Sequence, residues 1–158
     1  MRLLHIFMLH DTTRKVSKIK TWYYARMRLL GIDYGTKRVG VALSDDKGMM
    51  AFPHVVLVND TSLQKSIEKI VQKEGVEMII IGHSLGRDGG PNVVHEQVQD
   101  FIQDLTLNLG LPIELEPEQY TTQEAIRFQG RTELTDASAA SIILNSYIMR
   151  IKNTPKNI

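Results

Sequence analysis

Asp33 stands inside an apolar run, between Ile32 and Tyr34, and is followed at once by Gly35, Thr36, Lys37 and Arg38. A carboxylate in the interior of a strand is costly unless it is paired with a cation or bound to a metal ion. Both readings are open at this stage. Lys37 or Arg38 could satisfy it as an ion pair. Alternatively it ligates a hard cation such as Mg²⁺ or Mn²⁺, which takes oxygen donors from one or two carboxylates while substrate phosphate and water fill the remaining positions. A metal site needs further acids. Glu118, just past the apolar stretch PIELE, and Asp136, near the start of the last helical stretch, are placed to supply them. Ligand sites of open α/β sheets gather beyond the strand ends, where these acids could converge. Each also has a plainer reading: Glu118 as a solvated loop acid, Asp136 as an acid favoured by the positive end of a helix dipole.

Other chemistry-bearing residues give weaker signals. The chain has no cysteine, which removes thiolate metal sites, thiol nucleophiles and disulfides and fits a reducing, cytoplasmic setting. His54 and His95 lack zinc-ligand spacing, and His83 stands alone at a strand end. Asp88 lies in GRDGGPN, where an Asp before Gly favours a turn. Trp22, Tyr23 and Tyr24 beside Lys20 and Arg26 are the aromatic–basic mixture that stacks single-stranded RNA.

The elements that must hold these residues follow from periodicity. Residues 28–34 and 38–44 read as two strands of a hairpin, with Gly35 in the short link. A third strand covers 53–58, entered through Pro53. Leu63, Ile67, Ile70 and Val71 share one helical face, and Gly75 ends that helix. EMIIIG, residues 77–82, is a continuous apolar run of the kind buried on both faces. A helix over 92–109 turns Val94, Val98, Phe101 and Leu105 inward, and a fifth strand spans 112–116. Thr121 and Glu124 have capping-box spacing for a further helix. The last helix runs from about Thr135 to Ile151 with Ala139, Ile143, Tyr147 and Ile151 inward. The order βββαβαβαα predicts an α/β fold: a mixed five-stranded sheet with helices on both faces.

The 158 residues suit one domain. Residues 1–26 read as an N-terminal extension, either a weakly ordered arm or an upstream-extended start before Met27; residues 27–151 form the domain, and 152–158 a polar tail. Net charge is +1, yet residues 1–27 hold six Lys or Arg against one acid, and the rest holds 13 against 17. A basic arm on a mildly acidic domain suits nucleic acid, because affinity for it comes mainly from neutralised phosphates. No apolar run approaches the roughly 20 residues that span a bilayer.

RLLGIDYGTKRVGVALSD closely resembles the opening of the YqgF/RuvX family, Holliday-junction-resolvase-like proteins linked to maturation of precursor 16S ribosomal RNA. EMIIIGHSLGRDGG, EPEQYTTQEA and TDASAASIILNSYI are similar to later family segments, in order, over about residues 27–150. The resemblance implies a ribonuclease-H-like fold of βββαβαβα order. It also implies that Asp33, Glu118 and Asp136 are the catalytic, metal-holding acids of a Mg²⁺- or Mn²⁺-assisted phosphodiester hydrolysis, in which two divalent ions activate water and stabilise the leaving oxygen. Lys37 and Arg38 become phosphate contacts, and precursor rRNA within ribosomal precursor particles the substrate, for a monomer or homodimer.

The chain departs from the family pattern at three places. Pro117-Glu118-Gln119 stands where Asp-Glu-Arg is usual, so one acid is kept while a neighbouring acid and a cation are lost. The stretch RFQGRTEL is short and poor in cations, and His83-Ser84 replaces Leu-Pro. These departures keep a second reading in play, a catalytically weak RNA-binding ribosome-maturation factor on the same fold, beside a resolvase acting on branched DNA. A third reading takes GIDYGT as the phosphate loop of an actin-like ATPase or sugar kinase. That superfamily needs two such domains, and this chain carries one copy.

Overall fold

The computed structural model describes residues 27–83, 93–117 and 133–153. Strands β1 (Leu29–Tyr34), β2 (Arg38–Ser44) and β3 (Ala51–Val58) come first, then helix α1 (Leu63–Glu74), strand β4 (Met78–His83), helix α2 (Val93–Leu109), strand β5 (Ile113–Pro117) and helix α3 (Glu133–Asn153). The five strands form one sheet in the order β3-β2-β1-β4-β5. β1–β2 and β2–β3 are antiparallel, whereas β1–β4 and β4–β5 are parallel. This is the mixed sheet that the order of elements predicts. No helix among the described residues is long and apolar enough to cross a membrane. The extension 1–26, the loop carrying Asp88, Glu118, Gln119, the helix expected after Thr121 and the tail from 154 lie outside the described residues.

Period-two alternation sorts β1 between two cores. Leu30 and Ile32 join Val39, Val41, Ile79 and Ile81 beneath α1 and α2, which contribute Leu63, Ile67, Val71, Val98, Phe101 and Leu105. Leu29 joins Ala42, Met78 and Ile80 beneath α3, which contributes Ala140, Ile143, Leu144, Tyr147 and Ile148. Each large aliphatic side chain so buried contributes about 1.5–3 kcal/mol. The inward stripe of α3 is therefore wider than i, i+4 steps alone indicate, and Ala140 and Leu144 rather than Ala139 face the sheet.

Local signals explain the boundaries. Gly75 ends α1 in the left-handed region at φ 64°, and its N–H donates to the carbonyl of Val71. β3 begins two residues before Pro53 because Ala51 and Phe52 still pair with Ser44 and Leu43. Pro53 is tolerated within β3 because this is an edge strand, where a missing N–H breaks no outer ladder bond. The register shifts between Val41 and Ala42, leaving His54 as the extra residue of a bulge.

Candidate metal and nucleic-acid site

Residues 29, 31 and 33 alternate with the apolar Leu30 and Ile32, so Asp33 faces α3, not the aliphatic core under α1 and α2. It is half-buried near the carboxyl end of the central strand. Its partner across the antiparallel ladder is Gly40. On the other side Ile32 pairs with Ile81, so the next residue along β4, Gly82, lies beside Asp33. The acid thus stands in a row with a bare backbone on either flank.

The first turn of α3 descends into that row. A Cβ on Gly40 would lie 1.9 Å from the carbonyl oxygen of Asp136, 2.4 Å from its carbonyl carbon and 3.0 Å from the nitrogen of Ala137. Helix backbone rests directly on strand backbone there, which brings Asp136, itself half-buried, over the residue paired with Asp33. Two of the three acids singled out from the sequence are therefore brought to one end of the sheet; the third, Glu118, lies outside the described residues. Among the described residues no three His, Cys, Asp or Glu side chains converge on one position. Asp33 and Asp136, the two acids at this end of the sheet, are of the donor type a hard cation takes, since both offer carboxylate oxygens.

Lys37 and Arg38 are exposed at the turn between β1 and β2. The N–H of Gly35 donates to the carbonyl of Arg38 at 3.1 Å. Gly35 is needed here for space: its φ is not positive, but a Cβ would lie 2.6 Å from the carbonyl oxygen of Arg38. Asn59, just past β3, clamps this turn. Its side-chain amide donates to the carbonyl of Gly35 at 2.8 Å, and its backbone N–H donates to the carbonyl of Lys37 at 3.0 Å. Sequence reasoning missed Asn59, whose only signal was a polar residue directly after a strand.

A second cluster that sequence reasoning passed over lies where β5 meets α3. Glu116 is 3% exposed. Its Oε2 accepts from Arg150 Nε at 3.0 Å and Nη2 at 2.7 Å, and its Oε1 accepts from Ser146 Oγ at 3.0 Å. Arg150 also sits 5.2 Å from the centre of the Tyr147 ring, whose hydroxyl donates to Glu114 Oε2 at 3.0 Å. The hydrogen bonds that Arg150 donates to Glu116, set against partial desolvation, hold its guanidinium above its already high ordinary pKa. This network ties the strand that leads toward Glu118 to the helix that carries Asp136. Its sequence signal was Glu114 and Glu116 at period two in a strand, both on the α3 side.

His54 is exposed at the bulge, and the side chains of His83 and His95 lie outside the described residues.

Comparison with known proteins bears on this arrangement. The family model described as RuvX, Holliday junction resolvase, matches residues 27–150. A Halothermothrix orenii protein named "Putative pre-16S rRNA nuclease" is 36% identical over 132 residues, a match that covers 77% of this chain and 94% of that protein. A protein of the same name from Syntrophus aciditrophicus is 36% identical over 135 residues, covering 77% of this chain and 88% of its own length. Among solved structures, T. thermophilus RuvC in complex with a Holliday junction substrate superposes with a TM-score of 0.56 at 13% identity, covering 81% of this chain and 98% of that one. Fowlpox virus resolvase bound to Holliday junction DNA superposes with a TM-score of 0.52 at 13% identity, covering 79% and 99%. At such identities the structural likeness shows the fold, which is ribonuclease-H-like.

Proposed function

Because the chain belongs to the RuvX family, whose model spans residues 27–150, we propose that it is the nuclease that trims precursor 16S rRNA by metal-dependent phosphodiester hydrolysis. The observation that carries the reading is the seat of Asp136 on Gly40, the ladder partner of Asp33. In this reading Asp33, Glu118 and Asp136 hold Mg²⁺ or Mn²⁺, which supplies Lewis-acid activation of water and charge stabilisation for the leaving oxygen. Asp33 offers its carboxylate from the central strand, so its position is fixed by ladders on both sides. Asp136 offers its own from a helix turn that cannot approach more closely. Glu118 completes the set from the segment after β5. Lys37 and Arg38 hold substrate phosphates, on a turn that Asn59 fixes to the end of β3. The substrate is met within ribosomal precursor particles in the cytoplasm.

The experiment compares the purified protein with Asp33→Asn, each supplied with Mn²⁺, on precursor rRNA and on a four-way DNA junction. Cleavage of the rRNA by the parent alone supports the proposal, and cleavage of the junction alone turns it toward resolvase activity. Equal cleavage by both proteins removes Asp33 from the mechanism. RNA binding without cleavage by either favours a maturation factor, the reading that Pro117 and Gln119 support because the acid and the cation usual at those positions are lost.

A further inference from the structure

We propose that Gly40 is a positioning residue for the metal site: its missing Cβ seats the first turn of α3 on β2 and so sets the separation of Asp33 and Asp136. The inference rests on the assignment of those acids as metal ligands. Gly40 is fully buried within β2, and its backbone does not occupy the left-handed region, so alanine is conformationally free to replace it. Only the close approach demands glycine. Real Cβ atoms essentially never come within 3.0 Å of a neighbour, yet one at position 40 would stand 1.9 Å from the Asp136 oxygen and 2.4 Å from its carbonyl carbon. Both are backbone atoms, which cannot rotate away. The helix start must rise by about 1 Å, a displacement large enough to spoil a constellation of ligating or reacting groups.

Gly31 provides the internal contrast. It lies two residues before Asp33 on the same face and also receives α3. A Cβ there would meet Leu144 Cβ at 2.8 Å and the Ala140 carbonyl oxygen at 2.9 Å, so α3 must shift there too, but by less than a Cβ 1.9 Å from the Asp136 oxygen demands. That contact is one to two helical turns past Asp136. Both glycines admit the helix, but only Gly40 touches the turn that carries an acid.

The test measures Mn²⁺ affinity by electron paramagnetic resonance alongside thermal unfolding, for the parent, Asp33→Asn, Gly31→Ala, Gly40→Ala and the double variant Gly40→Ala/Asp136→Glu. Gly40→Ala is expected to bind Mn²⁺ about 10–100-fold more weakly, the range typical when the support of a ligand is removed. Gly31→Ala should lose stability while keeping the parent's affinity. The double variant should regain part of the affinity, because the longer carboxylate reaches back across the lifted turn, without regaining thermal stability. Parent-like affinity in a folded Gly40→Ala overturns the proposal while leaving the site assignment intact, provided Asp33→Asn has lost binding. An equal loss of affinity in Gly31→Ala also overturns it, since any loosening of α3 would then suffice. If the parent and Asp33→Asn bind alike, the site assignment fails and this inference falls with it. Should Gly40→Ala fail to fold, Asp136→Glu alone decides the question. With the helix held down, the added methylene overshoots and weakens binding, whereas unchanged affinity shows that the seat does not set the spacing.

Discussion

The two faces of the sheet are built from different materials. Under α1 and α2 the contacts are Leu, Ile, Val and Phe, with Tyr34 and Phe101 packed at a ring separation of 5.1 Å. Under α3 the strands present Gly31, Gly40 and Ala42 beside the larger Leu29, Met78 and Ile80, and the buried polar residues Ser44, Glu116 and Ser141 all lie on this side. Large aliphatic side chains hold a helix at a distance and are stabilising in proportion to the area they remove from water. Small residues do the reverse. They forgo buried area and let backbone meet backbone. Both faces contribute stability, and the α3 face is in addition the one that carries Asp33 and receives Asp136.

Adjacent residues of β1 offer the largest test of this contrast. Ile32 is fully buried in the aliphatic core, and Asp33 points the opposite way. Ile32→Ala should lower stability by about 2–5 kcal/mol, the range for truncating a well-packed aliphatic side chain, while the folded fraction keeps its Mn²⁺ affinity. Asp33→Asn, nearly isosteric, should move the denaturation midpoint far less than Ile32→Ala and abolish Mn²⁺ binding. Urea unfolding and Mn²⁺ titration of both variants read the two effects separately. If both variants lost stability and metal binding together, the division of labour between the faces would be wrong.

A medium effect sharpens the contrast within the α3 face itself. Arg150→Met leaves the Glu116 carboxylate, whose side chain is 5% exposed, with Ser146 alone. A buried charge stripped of its main partner is destabilising by about 1–3 kcal/mol. The guanidinium is itself half exposed, so solvent screening keeps the loss toward the low end. Glu116→Val together with Arg150→Met should restore most of the stability, because an apolar pair can replace a buried ionic one. Arg150 lies 14 residues beyond Asp136, roughly 21 Å along the helix. Its loss should therefore leave Asp136 in place, so that Mn²⁺ affinity can fall only through Glu118, two residues past Glu116. A fall in affinity would show that the clamp on β5, as well as the seat on Gly40, holds the site.

Much of the architecture was legible in the sequence because local patterns encode it. Two apolar runs joined by a short link holding Gly35 marked β1 and β2, the unbroken run Met78–Ile81 marked a strand covered on both sides, and Gly75 marked a helix end. Asp33 stood out as a candidate too, since a carboxylate in an apolar strand is conspicuous by type alone, whereas Glu118 and Asp136 were singled out by their place near element ends and by the family resemblance. What stayed hidden depends on contacts between distant segments. Gly40 reads as an ordinary strand glycine until the start of α3 is seen resting on it. Glu116 reads as a strand-edge acid until Arg150 and Ser146 close over it. Asn59 reads as loop filler, although it fixes the turn that carries Lys37 and Arg38. Periodicity reports which face a residue takes, but not what the opposing element brings to meet it.

The smallest effect lies at the rim of the aliphatic face, where charge serves only to start a helix. Asp60 Oδ1 accepts from the Ser62 hydroxyl at 2.6 Å and from the Ser62 N–H at 2.8 Å, just ahead of α1. The hydroxyl is the larger cause and the backbone N–H the smaller, and together they hold the Asp60 carboxyl below its ordinary value of 3.8. A folded-state value below the unfolded one means that this contribution to stability is complete above about pH 3.8 and is lost as pH falls through the depressed value. Because Asp60 is fully exposed, the effect on global stability is slight, and a carboxyl-resolved NMR titration is the direct measurement. Ser62→Ala should move the Asp60 titration part of the way back toward 3.8, since the backbone donor remains. It should leave Mn²⁺ affinity untouched, because α1 packs on the face turned away from Asp33. An unmoved Asp60 titration in that variant would remove the hydroxyl as the cause. A change in metal affinity would show that the two faces are coupled through the sheet.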